Sequence, residues 1–200
     1  YAVKRDLGIM IQAGIEHHVP VLVGTAGGSG AKPHLDWTIQ IVKEIAKENN
    51  LHFKMAIIEA DIDKEVLYKA FDEGKIKPLH PAPECTKDDI KDSTYIVGQM
   101  GVEPFIEALK LDVDVIIAGR AYDPTVFAAL PILKGFDPGL ALHCGKILEC
   151  AAIASTPGSG SDCMFGTIYE DSFVLETLNP IRKCTTLSVS AHTLYEKTNP

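Results

Sequence analysis

The chain has 200 residues, 46% of them hydrophobic and 23% charged, with a net charge of −8, a balance typical of a globular protein long enough to bury a sizeable core. That charge argues against the nonspecific binding of nucleic acid, where basic stripes are expected, while leaving room for a local positive site, and no apolar run reaches the ~20 residues of a membrane span. The five cysteines (Cys85, Cys144, Cys150, Cys163 and Cys184) are scattered without a CxxC pair, which removes a zinc ribbon and points to a reducing, cytoplasmic setting.

In chain order, residues 2–18 place Val3, Leu7, Met10, Ile11 and Gly14 at helical spacing, and 19–23 read as a short buried strand. A glycine loop follows, and then Leu35, Ile39, Val42, Ile45 and Ala46 on one helical face, with Pro33 in the first turn. Residues 53–60 are a second strand. Asp63 is placed to cap the next helix and Gly74 to stop it. A proline-rich connection leads to a short helix that Thr86 would cap. "TYIVGQ" reads as a strand, "VEPFIEALKLD" as a helix and "VDVIIAGR" as a strand. "DPTVFAALPILKG" is a helix opened by Asp-Pro, and "GLALHCGKILECAAIAS" is read as one further helix. Buried strands alternating with amphipathic helices predict a mostly parallel, doubly wound α/β sheet over residues 1–155. The texture changes at "STPGSGSD". "MFGTIYEDSFVLETLNP" alternates like antiparallel strands around Glu170 and Asp171, so 156–200 form a mixed β/α extension. Both ends lie in helical patterns, so a core fragment of a longer chain is expected.

"VGTAGGSGAKPHLDW" joins the first strand to its helix. It lacks the Gly-Lys-Ser/Thr of a P-loop, and Pro33 stands where the dinucleotide fingerprint needs its third glycine. What remains is an anion cradle: Gly27, Gly28 and Gly30 allow close backbone approach, the helix start adds positive potential, and Ser29, Lys32 and His34 supply donors. The competing reading is a tight turn and nothing more. Glu59 could mimic a ribose-gripping acid, but it lies too far from Gly24 for the usual spacing.

"IIAGRAYDPT" sets Arg120 and Asp123 just past the carboxyl end of another strand, the edge where open parallel sheets bind ligands. Arg120 can hold a carboxylate or phosphate through two parallel hydrogen bonds. Asp123 is either a helix cap or a proton carrier, and Gln99 and Glu103 are expected on the same rim. His143, Lys146 or Ile147, and Cys150 share a helical face, but two turns separate His143 from Cys150, so Cys150 reads as a buried structural thiol. At the end of the chain His192 is the acid–base candidate, beside Tyr195 and Glu196, with a T-x-x-E capping box from Thr193. No ligand spacing demands a metal.

Together "VGTAGGSGAKPHLDW", "AGRAYDPTVFAAL", "GKILECAA" and "SVSAHTLYEKTNP", with "GQMGVEPFIEAL" and the initial "KRDL", resemble the acyclic terpene utilisation (AtuA) family in the same order along nearly all of the chain. The resemblance implies catabolism of branched acids through coenzyme A thioesters and a longer parent chain. It groups Gly27, Gly28, Ser29, Gly30, Arg120, Asp123 and His192 in one site. The expectation is an enzyme or enzyme subunit acting on a carboxylic acid or acyl-CoA by hydration, isomerisation or lyase chemistry. The alternatives are a nucleotide-binding protein and a noncatalytic companion subunit, and a homo-oligomer is compatible with all three.

Overall fold

A computed structural model of the chain describes residues 1–194. It resolves into two compact units, one of residues 1–100 and 113–121, the other of 101–112 and 122–200.

The first unit carries α1 (Ala2–His17), β1 (Val21–Val23), α2 (Lys32–Glu48), β2 (Met55–Ile58), α3 (Lys64–Asp72), α4 (Lys87–Asp92) and β3 (Val115–Ala118). The strands form a parallel sheet in the order β1-β3-β2, with Val21 and Met55 both in register with Val115. All four residues of β3 are buried, as a central parallel strand requires. Leu7 and Ile11 of α1 and Leu35, Ile39, Val42 and Ile45 of α2 pack with Val21, Val115 and Ile117 into one core. Val3 and Met10, expected on the inner face of α1, are exposed instead: burial centres on Leu7, Ile11 and Gly14. A Cβ at Gly14 would lie 2.6 Å from Val21 Cγ2, so a glycine there lets α1 close onto the first strand.

Thr86 caps α4 through a reciprocal capping box with Asp89, and Gly74 adopts φ +65° just after α3, as its stop position implies. Asp63 stands at the start of α3 without a side-chain cap bond. The expected strand at 94–99 does not form. Val97 makes only an isolated bridge to Asp61, and Met100, just past the run, one to Ala121.

The second unit carries α5 (Glu103–Leu109), α6 (Thr125–Leu133), α7 (Pro138–Leu148), a 3-10 turn (Ala151–Ala154), β4 (Met164–Ile168), β5 (Phe173–Thr177) and α8 (Thr186–Thr193). The predicted antiparallel pair is present, with Ile168 opposite Phe173 and the turn closed by Tyr169 N–H to Ser172 C=O at 2.8 Å. The hairpin rests on α7, where a Cβ at Gly166 would meet Cys144 Sγ at 2.8 Å. The helix expected to run on to Ser155 stops at Leu148, and the chain tightens into the 3-10 turn, with Ala151 at φ +48°. Thr185 supplies a capping box, paired with Ser188 at the start of α8, while the Thr193–Glu196 box expected from the sequence falls outside the described residues. Thr193 ends that helix and donates to Val189 C=O, while Tyr195 and Glu196 lie outside the described residues.

Candidate functional site

Two groups of predicted residues are built by different parts of the chain. In the first unit the glycine loop leaves β1 and enters α2. Gly27, Gly28 and Gly30 all have positive φ, at +69°, +97° and +72°. Only glycine adopts such angles without strain, yet the three are not equivalent. A Cβ at Gly27 would sit 2.5 Å from His34 Cβ, and one at Gly30 would fall on the backbone nitrogen of Arg120, while the space around Gly28 is open. Gly27 and Gly30 are therefore required by packing, and Gly28 is left facing solvent.

The contact at Gly30 is reciprocal. A Cβ at Gly119 would lie 2.6 Å from the Gly30 carbonyl oxygen. Thr25, a residue that sequence reasoning passed over, reinforces the junction. Its hydroxyl donates to Ala121 C=O at 3.1 Å and accepts from Ala121 N–H at 3.2 Å. Thr25 N–H and Ala26 N–H also donate to the carbonyls of Gly119 and Ala118. The loop after β1 and the Gly119–Arg120 turn after β3 thus meet at the carboxyl edge of the sheet, although about ninety residues separate them.

Within the loop, Gly28 N–H donates to Thr25 C=O and Gly30 N–H to Ala26 C=O. Among the described residues no protein acceptor meets the N–H groups of Gly27, Ser29 and Lys32. Ser29 Oγ accepts from Ala31 N–H at 3.1 Å and bonds His34 Nδ1 at 2.7 Å. Lys32 is drawn elsewhere: its ammonium contacts Glu59 Oε1 at 3.0 Å and Asp36 Oδ1 at 3.3 Å. Glu59, then Asp36, hold its pKa above the ordinary lysine range. Glu59 therefore serves as a partner of Lys32. Among the described residues Arg120 makes no ion pair.

Asp123 and His192 belong to the second unit. Asp123 does not cap α6, whose start has Pro124 in the cap position and no side-chain cap bond. The Asp123 carboxyl instead reaches that of Glu149, which also pairs with Lys146 Nζ. Burial pushes the Glu149 carboxyl above the usual carboxylate range, Lys146 draws it back, and Asp123 adds to the rise. Glu149 was passed over in sequence because it lies off the His143 face of α7; its one local signal is the i,i+3 spacing from Lys146.

His192 is 4% exposed on α8. His143 packs edge-on against Phe173 with ring centroids 5.2 Å apart. Cys150 is half-buried, past the end of α7, and not the buried thiol expected there. Burial raises the Cys144 and Cys184 thiols, the opposite of nucleophile activation. Among the described residues no group of three or more His, Cys, Asp or Glu side chains is arranged to hold a metal, and no helix is long and apolar enough to cross a membrane.

The motifs that build these two groups carry a family signature. A family model described as "Acyclic terpene utilisation family protein AtuA" matches residues 5–162. The chain belongs to the AtuA family. The match takes in the glycine loop, Arg120, Asp123, Lys146 and Glu149, and ends before His192. No curated protein and no solved structure matches this AtuA-family chain. Membership suggests a role in acyclic terpene utilisation and leaves the reaction to be read from the residues.

Proposed function

We propose that this AtuA-family chain is an enzyme, or a subunit of one, acting on a carboxylic acid or its coenzyme A thioester, with the first unit holding an anionic group. The observation that carries this reading is the interlock of Gly30 with Gly119 and Arg120. It fixes an arginine backbone beside a loop whose Gly27, Ser29 and Lys32 N–H groups have no acceptor among the described residues. N–H groups at the start of a 17-residue helix favour negative charge, and an arginine can add a bidentate grip on carboxylate or phosphate. Gly27, Gly28, Ser29, Gly30 and Arg120 form this seat. Lys32 contributes its N–H, its ammonium being shared by two carboxylates. Asp123 and His192 of the second unit are the groups proposed to move a proton in a hydration, isomerisation or lyase step.

The test is thermal unfolding with coenzyme A, branched acyl-CoAs, free branched acids, ATP and NAD. A ligand at ~100 times its Kd stabilises by about 2.7 kcal/mol, a shift of roughly 5–10 °C for a chain of this size. Stabilisation by the CoA compounds or acids, lost in Arg120→Ala and Gly28→Val, is the expected result. Stabilisation by ATP or NAD alone, or unchanged affinity in both folded variants, overturns the assignment.

A further inference from the structure

The carboxyl groups of Asp123 and Glu149 are brought together by packing between α6 and α7. The sequence separates them by 26 positions. Gly145, one turn before Glu149, makes the approach possible. A Cβ there would lie 2.7 Å from Pro124 C=O and 3.3 Å from Phe127 Cβ. With hydrogen at that position, the first turn of α6 settles on the last turn of α7, and Asp123 meets Glu149.

The two carboxyls occupy unlike surroundings. The Glu149 side chain is 9% exposed, whereas Asp123 is exposed. Burial, and then the neighbouring Asp123 carboxyl, push Glu149 above the usual carboxylate range, because two carboxyl groups this close disfavour double ionisation. Glu149 also stands at the C-terminal cap of α7, where the helix dipole disfavours a second negative charge. Lys146, 20% exposed, pairs with Glu149.

We infer that Asp123, Glu149 and Lys146 form a proton-holding centre, with Glu149 as the half-buried store and Asp123 as the solvent-facing port. The centre retains a proton at pH values where an isolated carboxylate has lost it. It can release that proton through Asp123 and regain it by the same route, leaving Lys146 paired throughout. This makes Glu149 a positioning and proton-storing residue that acts through Asp123. Its use in turnover rests on the acid–base reading above, whereas its existence does not.

The experiment is carbon-13 NMR titration of the Asp and Glu side-chain carboxyls in the full chain, for wild type, Asp123→Asn, Glu149→Gln and Lys146→Met. In the wild type a Glu step is expected above the ordinary carboxylate range near 4.3. Asp123→Asn should lower that step, since an amide adds no charge and can donate to Glu149. Lys146→Met should raise it. Glu149→Gln should abolish it.

A second readout follows from linkage. A carboxyl whose folded pKa exceeds its unfolded value favours folding most below the unfolded pKa, and that advantage is lost as pH rises through the folded pKa. Urea stability of Glu149→Gln relative to wild type should therefore improve as pH climbs through that window. A wild-type Glu149 that titrates in the ordinary range, or one unmoved by Asp123→Asn, overturns the centre. Neither result would touch ligand-induced stabilisation, and a failed anion seat would leave these titrations unchanged.

Discussion

Gly30 stands at φ +72° against the peptide of Arg120, and Gly28, two residues earlier, stands at φ +97° in open space. Both angles penalise an L side chain, by roughly 1–2 kcal/mol. Only Gly30 adds a steric clash with backbone, which cannot rotate out of the way, and overpacking of that kind costs a further ~1–3 kcal/mol. Gly30→Ala is therefore expected to lose about 2–5 kcal/mol in urea unfolding, and Gly28→Ala only about 1–2 kcal/mol. Equal losses would mean that the loop does not lock onto the Gly119–Arg120 turn. The same asymmetry makes Gly28 the better position for probing ligand binding, because its variants lose less stability than those at Gly30.

At the scale of elements, single glycines decide which helices and strands touch. Gly14 admits α1 to Val21, Gly145 admits α6 to α7, and Gly166 admits the hairpin to Cys144 and Leu148. Gly145→Ala should improve the helix propensity of α7 by roughly 1 kcal/mol. It should nonetheless destabilise the chain, because the added methyl meets the Pro124 carbonyl and overpacking costs ~1–3 kcal/mol. Urea unfolding reads the net sign, and the Glu149 titration should fall toward the ordinary range as the helices part. A more stable variant with an unchanged titration would show that Gly145 does not set the spacing. Capping follows more local rules: the Thr86–Asp89 box needs only its own turn, and it is present as the spacing of those residues implies.

For the molecule as a whole, the charge of −8 sets the partners it can attract. The cationic groups near the glycine loop number few, and Lys32 is shared by two carboxylates. A single arginine with exposed N–H groups suits a small anion, whereas a polyanion needs many phosphate contacts at once. The chain is expected to pass through immobilised duplex DNA without retention at ~0.15 M salt. Retention that falls steeply with added salt would point to a basic surface larger than the anion seat.

Much of the architecture was legible because it depends on local pattern. Short buried strands, helical periodicity around Leu35 and Ile39, the stop at Gly74 and the hairpin turning at Glu170 and Asp171 all follow from near neighbours. The run at 94–99 misled because β-branched and aromatic residues mark strand propensity, whereas pairing depends on what the sheet offers. Asp123 misled for a related reason. Asp-Pro is a strong local helix start, but its carboxyl found a partner in Glu149 on another helix. The sequence by itself determined an α/β chain with a glycine loop, an antiparallel pair near its end and the motifs of its family. Only the tertiary structure decided that Gly30 meets Arg120, that Lys32 is claimed by Glu59 and Asp36, and that Asp123 shares its surroundings with Glu149. Those contacts join residues far apart in the chain, and close packing of specific surfaces carries that information where no periodicity can.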